Sequence, residues 1–281
     1  MKIGIVGLGL IGGSMAKAIK HHTEHQVFGM DKSESVLLKA KLLQVIDDEL
    51  TPEKLKKCDM IILALYPHDT ISFVHAYARW LEGTTVIDCC GVKRIVIDAI
   101  MPISQEHGFL FMGGHPMAGI EYSGFEYSKV ELFNGASMIL TPGSTVDIAH
   151  LGNMKQFFLS IGFGQVQIST AEAHDHIIAY TSQLAHVLSS AYVKSEAAML
   201  HRGFSAGSFQ DMTRVAQLNE DMWTELFLAN SDNLSSEVKA LAARLTQYAT
   251  AIQSRDELQL RQLLREGRER KQYLTEREAQ A

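Results

Sequence analysis

A histidine framed by small residues is the first candidate for chemistry: Gly113-Gly114-His115-Pro116-Met117-Ala118-Gly119-Ile120-Glu121. Glycine and alanine on both sides let backbone and ligand approach closely, and Pro116 stiffens the segment. A histidine titrates near neutral pH. Held there, it suits taking a proton from a hydroxyl as hydride leaves the same carbon. Glu121, in the same loop, suits tuning that histidine or lining a cleft. The second pattern is Gly7-x-Gly9-x-x-Gly12, which follows the apolar run Ile3 to Val6 and opens a helix-like stretch. Gly7 permits the tight turn, Gly9 leaves room for a pyrophosphate, and Gly12 lets the helix lie close on the sheet. The first helical amides, at Leu10 and Ile11, then face the phosphates. A further apolar run, 26–30, ends in Asp31, about 20 residues beyond the glycines, where a carboxylate accepts ribose hydroxyls. Asp31 repels a 2′-phosphate, so NAD is expected over NADP; Lys32 beside it keeps NADP as the lesser expectation.

These residues need a scaffold. Residues 1–6, 26–30, 60–65, 85–89 and 109–112 read as strands; 12–20, 35–43, 68–81 and 93–101 read as helices between them. That alternation predicts a parallel, doubly wound Rossmann-like α/β sheet. His115 then sits at the carboxyl edge, where a nicotinamide lies. Residues 136–140 add a strand, 145–161 a helix and 164–168 a last strand. From residue 170 onward there is no proline, and 171–200, 212–228 and 234–252 carry apolar residues at helical spacing. Two domains are expected: 1–168, dinucleotide-binding, and 169–281, all-helical, with the substrate cleft between them and dimerisation through the helices. Residues 260–281 are highly charged and read as a solvated helical tail.

Composition narrows the classes. Of 281 residues, 46% are hydrophobic and 21% charged, as in a globular protein with a sizeable core. A net charge of −6 argues against a general affinity for nucleic acid. No apolar run reaches the ~20 residues of a membrane span. The chain starts directly in a strand with no signal-like segment, so a cytoplasmic protein is expected. Cys58, Cys89 and Cys90 form no CxxC pair and read as reduced thiols. His21, His22 and His25 read as a solvated turn. His174 and His176 hint at metal, but no ligand set completes a site, and no metal is expected.

Four segments, taken together, resemble the prephenate and arogenate dehydrogenase family. GGHPMAGIEYSG (113–124) resembles its central histidine motif, and DCCGVK (88–93) its strand-end turn. Ser182-Gln-Leu-Ala-His186 resembles its SHLPH-like helix motif. Phe209-Gln-Asp-Met-Thr-Arg214 resembles its FxDxTR motif, with Met222-Trp223 following. The resemblance runs from Ile3 to about Trp223. It implies NAD-dependent oxidative decarboxylation of a cyclohexadienyl ring, prephenate first and arogenate as the alternative. His115 would bond the C4 hydroxyl and Arg214 would grip the ring carboxylate with its planar guanidinium. His186 would cap the pocket, and Trp223 would be core or pocket wall. Two positions depart from the pattern. Gly91 stands where many members have a serine near the histidine, and Gln210 where some have a lysine. Both bear on the choice between a ketoacid and an amino-acid side chain, and the Cys90 thiol or a water could stand in for the missing hydroxyl. No βαββαβ pattern follows Trp223, so no regulatory domain is expected. The competing reading from another class is a non-catalytic NAD-binding sensor, for which an intact His115 and Arg214 have no use.

Overall fold

The computed structural model describes residues 1–143 and 146–278. The chain forms two compact units, Met1–Ser231 and Asp232–Ala281. The first begins with β1 (Lys2–Val6), α1 (Leu10–His22), β2 (Gln26–Met30), α2 (Glu34–Leu42), β3 (Asp48–Glu49), α3 (Pro52–Leu55), β4 (Met60–Leu63) and α4 (Pro67–Tyr77). It continues through β5 (Thr85–Asp88), α5 (Arg94–His107), β6 (Leu110–Pro116), β7 (Ser137–Pro142), α6 (Ile148–Ser160) and β8 (Gln165–Ile168). Helices α7 (Ala171–Ile178), α8 (Ala185–Tyr192), α9 (Gly207–Thr213) and α10 (Glu220–Ala229) complete it. In the second unit α11 (Ser231–Gln253) and α12 (Glu257–Glu278) form a helical hairpin, tied by the Tyr248 hydroxyl donating to the Leu263 carbonyl at 3.1 Å.

The strands form one eight-stranded sheet in the order β3-β2-β1-β4-β5-β6-β7-β8. Both faces are covered, so its central strands are continuously apolar. Along β4, Met60 and Ile62 enter one core layer with Met15, Ile19 and Phe158. Ile61 and Leu63 enter the other, with Val74, Val96 and Ile100. This is the two-residue period of a strand buried on both sides.

The doubly wound α/β sheet followed by helices is as expected, with three differences. First, β6 does not stop at Met112: Gly113, Gly114, His115 and Pro116 pair with β7. His115 is therefore held in a strand, not a loop. Second, β7 runs antiparallel to β6, while β7 and β8 are parallel to each other. The connection between them, residues 117–136, holds no α-helix, and the two strands pair as antiparallel neighbours. Third, the expected helix over 171–200 is broken. A π-helical stretch, Ala179–Leu184, separates α7 from α8, and α8 ends at Tyr192. The expected helix 145–161 begins at Ile148, where the Asp147 carboxylate accepts from the His150 amide; Thr145 lies outside the described residues. The charged tail is α12, and residues 279–281 of the expected segment also lie outside. No helix among the described residues is long and apolar enough to cross a membrane.

Candidate active site

The glycine turn is built as its spacing demands. Gly7 adopts a positive φ of 86°. A Cβ on Gly12 would lie 1.8 Å from the Gly7 carbonyl oxygen, so α1 can pack this tightly only without one. A Cβ on Gly9 would meet nothing within 4 Å, which leaves space beside the first turn of α1. That turn has no side-chain cap, so the amides at Leu10 and Ile11 face the open side. Asp31 is pinned at the end of β2. It accepts from the Leu8 amide at 2.7 Å and from the Ser33 amide at 2.9 Å. The carboxylate keeps further lone pairs for ribose hydroxyls. The set fits a dinucleotide.

A buried ion pair joins the ends of β5 and β6. Asp88 and Lys93, both almost fully buried, contact each other. The Lys93 ammonium also donates to the Gly114 carbonyl at 2.6 Å. Asp88 in turn accepts from the Gly114 amide at 3.0 Å and from the Cys90 amide at 2.9 Å. The amide and the carbonyl of Gly114, the residue before His115, are thus each held by one of the two charges. Gly114 must be glycine because a Cβ would lie 2.5 Å from the Asp88 carbonyl oxygen.

His115 Nδ1 lies 2.9 Å from His174 Nε2. His174 Nδ1 lies 2.8 Å from Asp175 Oδ1. Asp175, fully buried on α7, also accepts from the Lys93 and Arg94 amides at 2.7 and 3.0 Å. Burial, then the neighbouring His174, then the Lys93 charge hold the His115 pKa well below the histidine range. The ring is neutral at ordinary pH and can accept a proton. Nε2 faces Gly91: a Cβ there would sit 3.9 Å from Nε2 and 3.4 Å from Leu226 Cδ2 on α10.

The remaining expected residues form a second cluster. The Arg214 guanidinium, largely exposed, donates to Glu121 Oε1 at 3.2 Å. Glu121 is thus placed against Arg214; the imidazole partnering His115 is His174. His186 donates from Nδ1 to the Ser182 carbonyl at 2.8 Å and packs against Trp223 with ring centroids 4.0 Å apart and the planes tilted by 31°. Burial lowers its pKa; the Ser182 carbonyl opposes the shift and the Arg214 charge adds to it. The Cys90 thiol lies against Thr70 Oγ1 at 3.4 Å and the Leu65 carbonyl at 3.6 Å, so it is engaged away from the place of the absent hydroxyl. All three cysteines are free thiols.

Residues 15–166 match the family model for the prephenate dehydrogenase nucleotide-binding domain, and 170–266 match the model for its dimerisation domain. The chain belongs to the prephenate dehydrogenase family. A cyclohexadienyl dehydrogenase of Zymomonas mobilis is 32% identical over 90% of this chain and 89% of its own. The Aquifex aeolicus prephenate dehydrogenase, solved with hydroxyphenyl propionate and NAD+, superposes with a TM-score of 0.82 at 27% identity, covering 98% of both chains. An arogenate dehydrogenase of Synechocystis superposes with a TM-score of 0.81 at 26% identity, covering 97% of this chain and 100% of its own. Within this family of NAD-dependent dehydrogenases, the sequence motifs pointed to His115, Arg214, His186 and the glycine turn. They did not point to Asp175, or to His174 beyond its pairing with His176 as a hint of metal. Nor did they assign a role to the Asp88–Lys93 clamp, although an acid and a lysine flank the turn after β5.

Proposed function

We propose that the protein is an NAD-dependent prephenate dehydrogenase. One observation carries the reading: a neutral, buried-network histidine, His115, is held on the end of β6 with Nε2 turned toward Gly91. NAD, when bound, accepts the hydride. The glycine turn and Asp31 bind it through its pyrophosphate and ribose. His115 Nε2 takes the proton of the C4 hydroxyl while the C4 hydride departs. The C1 carboxylate then leaves as carbon dioxide, and aromatisation drives this step. The protein's task is therefore to position and to hold the proton. Arg214 binds a substrate carboxylate in place of Glu121, and His186, backed by Trp223, closes the pocket. Gly91 bounds the floor beside His115.

Arogenate is the second reading. The lack of a hydroxyl at Gly91, together with Gln210, removes polar contacts that bear on the substrate side chain, and the likeness to the Synechocystis enzyme is as strong as that to the Aquifex one. NADH formation with each substrate, with NAD and with NADP, decides: a higher kcat/KM for prephenate with NAD supports the proposal. A higher kcat/KM for arogenate transfers it to the second reading, and NADH from neither returns it to a non-catalytic NAD sensor.

The domain boundary falls near 168, between β8 and α7. The protein works in the cytoplasm as a homodimer formed through the helical region. Met199, Leu200 and Phe204, at 83%, 76% and 92% exposure, support that assembly, because large apolar side chains exposed together on one short segment are what association would cover.

A further inference from the structure

The chemistry needs His115 in one of its two neutral forms. Only the form with the proton on Nδ1 leaves an Nε2 lone pair facing Gly91; the other presents an N–H and cannot accept the hydroxyl proton. The buried chain of hydrogen bonds behind the ring makes that choice. Asp175 is the fixed end. Its Oδ1 accepts from the Lys93 amide and its Oδ2 from the Arg94 amide, both at the start of α5. Helix amides and the positive end of the helix dipole keep a carboxylate ionised, and an ionised carboxylate only accepts. His174 must therefore donate to it from Nδ1, across 2.8 Å. His174 is 2% exposed, and burial holds its pKa down against the pull of Asp175, so it carries one proton. Its Nε2 is then a lone pair, 2.9 Å from His115 Nδ1. Only a proton on His115 Nδ1 satisfies both atoms.

We infer that His174 and Asp175 are positioning residues that lock His115 into the Nδ1-protonated tautomer and so expose Nε2 as the proton acceptor. The inference rests on His115 being the proton acceptor of the proposed reaction, but the tautomer itself can be read without any substrate. Nitrogen-15 NMR of the full chain carrying labelled histidine measures it. The His115 signals, identified by their loss in His115→Asn, should show a protonated Nδ1 and a bare Nε2. A protonated Nε2 overturns the inference whatever the enzyme acts on. Kinetics give the second arm. His174→Leu removes the acceptor and should lower kcat about 10- to 100-fold with KM within about twofold. His174→Gln places an amide oxygen where it can accept from Nδ1–H and should restore most of the loss. Equal kcat in the Leu and Gln variants, or a loss confined to KM, argues against a positioning role. If His174→Leu fails to fold, the NMR of the unaltered chain still decides.

Discussion

Replacing Lys93 by methionine isolates what the buried clamp contributes. The change keeps most of the apolar stem and removes the ammonium. It leaves the Asp88 carboxylate, 0% exposed, without its cation, held by the Cys90 and Gly114 amides, and the Gly114 carbonyl loses its donor. With the Lys93 side chain itself at 1% exposure, solvent screening offers no relief. Removing one partner of such a pair costs about 3–5 kcal/mol, a large part of the roughly 5–15 kcal/mol that holds a domain folded. The folded-to-unfolded ratio should fall by roughly a hundred- to several-thousand-fold, seen as a drop of about 1–3 M in the urea midpoint. Circular dichroism and tryptophan fluorescence, followed together, check that the transition stays cooperative. The double variant Asp88→Asn/Lys93→Met should regain part of the loss, because no charge is then left buried and unpaired. A cost below about 1 kcal/mol for Lys93→Met, or a double variant worse than both singles combined, would refute the clamp.

Further outcomes are expected. Gly9→Ala should leave the melting temperature nearly unchanged, since its Cβ meets nothing within 4 Å, but weaken NAD binding measured by calorimetry. Gly12→Ala should fail to fold, with its Cβ 1.8 Å from the Gly7 carbonyl oxygen; equal NAD affinity in Gly9→Ala and the unaltered chain would contradict the pyrophosphate assignment. The pKa values of His115, His174 and His186 are all lowered, so below about 6.5 the unfolded chain binds more protons than the folded one. Stability should be full above that pH and decline as pH falls toward the lowered values; a melting temperature that is flat or rises between about pH 7 and 5 would reverse the assigned sign. Arg214→Gln should raise KM for substrate by about tenfold or more while kcat changes little, as a lost binding contact does; an unchanged KM would remove Arg214 from the carboxylate site.

The parts of the fold that follow from local pattern were legible. Apolar runs ending in Gly7 and Asp31 marked β1 and β2, and the glycine spacing marked the cofactor turn, because turn geometry and close packing act on neighbours in sequence. Tertiary partners were not legible in the same way. Gly113 and Gly114 read as a loop, since glycine is rare in strands, yet β6 runs through them because the Asp88–Lys93 clamp and β7 leave no room for side chains. His174 and Asp175 lie on a helix some 59 residues beyond His115 in sequence. Nothing in the local pattern of α7 marks that pair as the partner of a strand-end histidine. Glu121, expected either to tune His115 or to line a cleft, meets Arg214 across 93 residues of sequence.

His115 Nε2 is proposed to accept the substrate hydroxyl proton in an NAD-dependent dehydrogenation. Steady-state NADH formation from prephenate by the unaltered protein and by His115→Asn tests it most directly, with NAD affinity measured on both. His115→Asn should lose about 10²–10⁴ in kcat with NAD binding nearly intact. A variant that keeps the parent kcat, or that loses NAD binding instead, would contradict it.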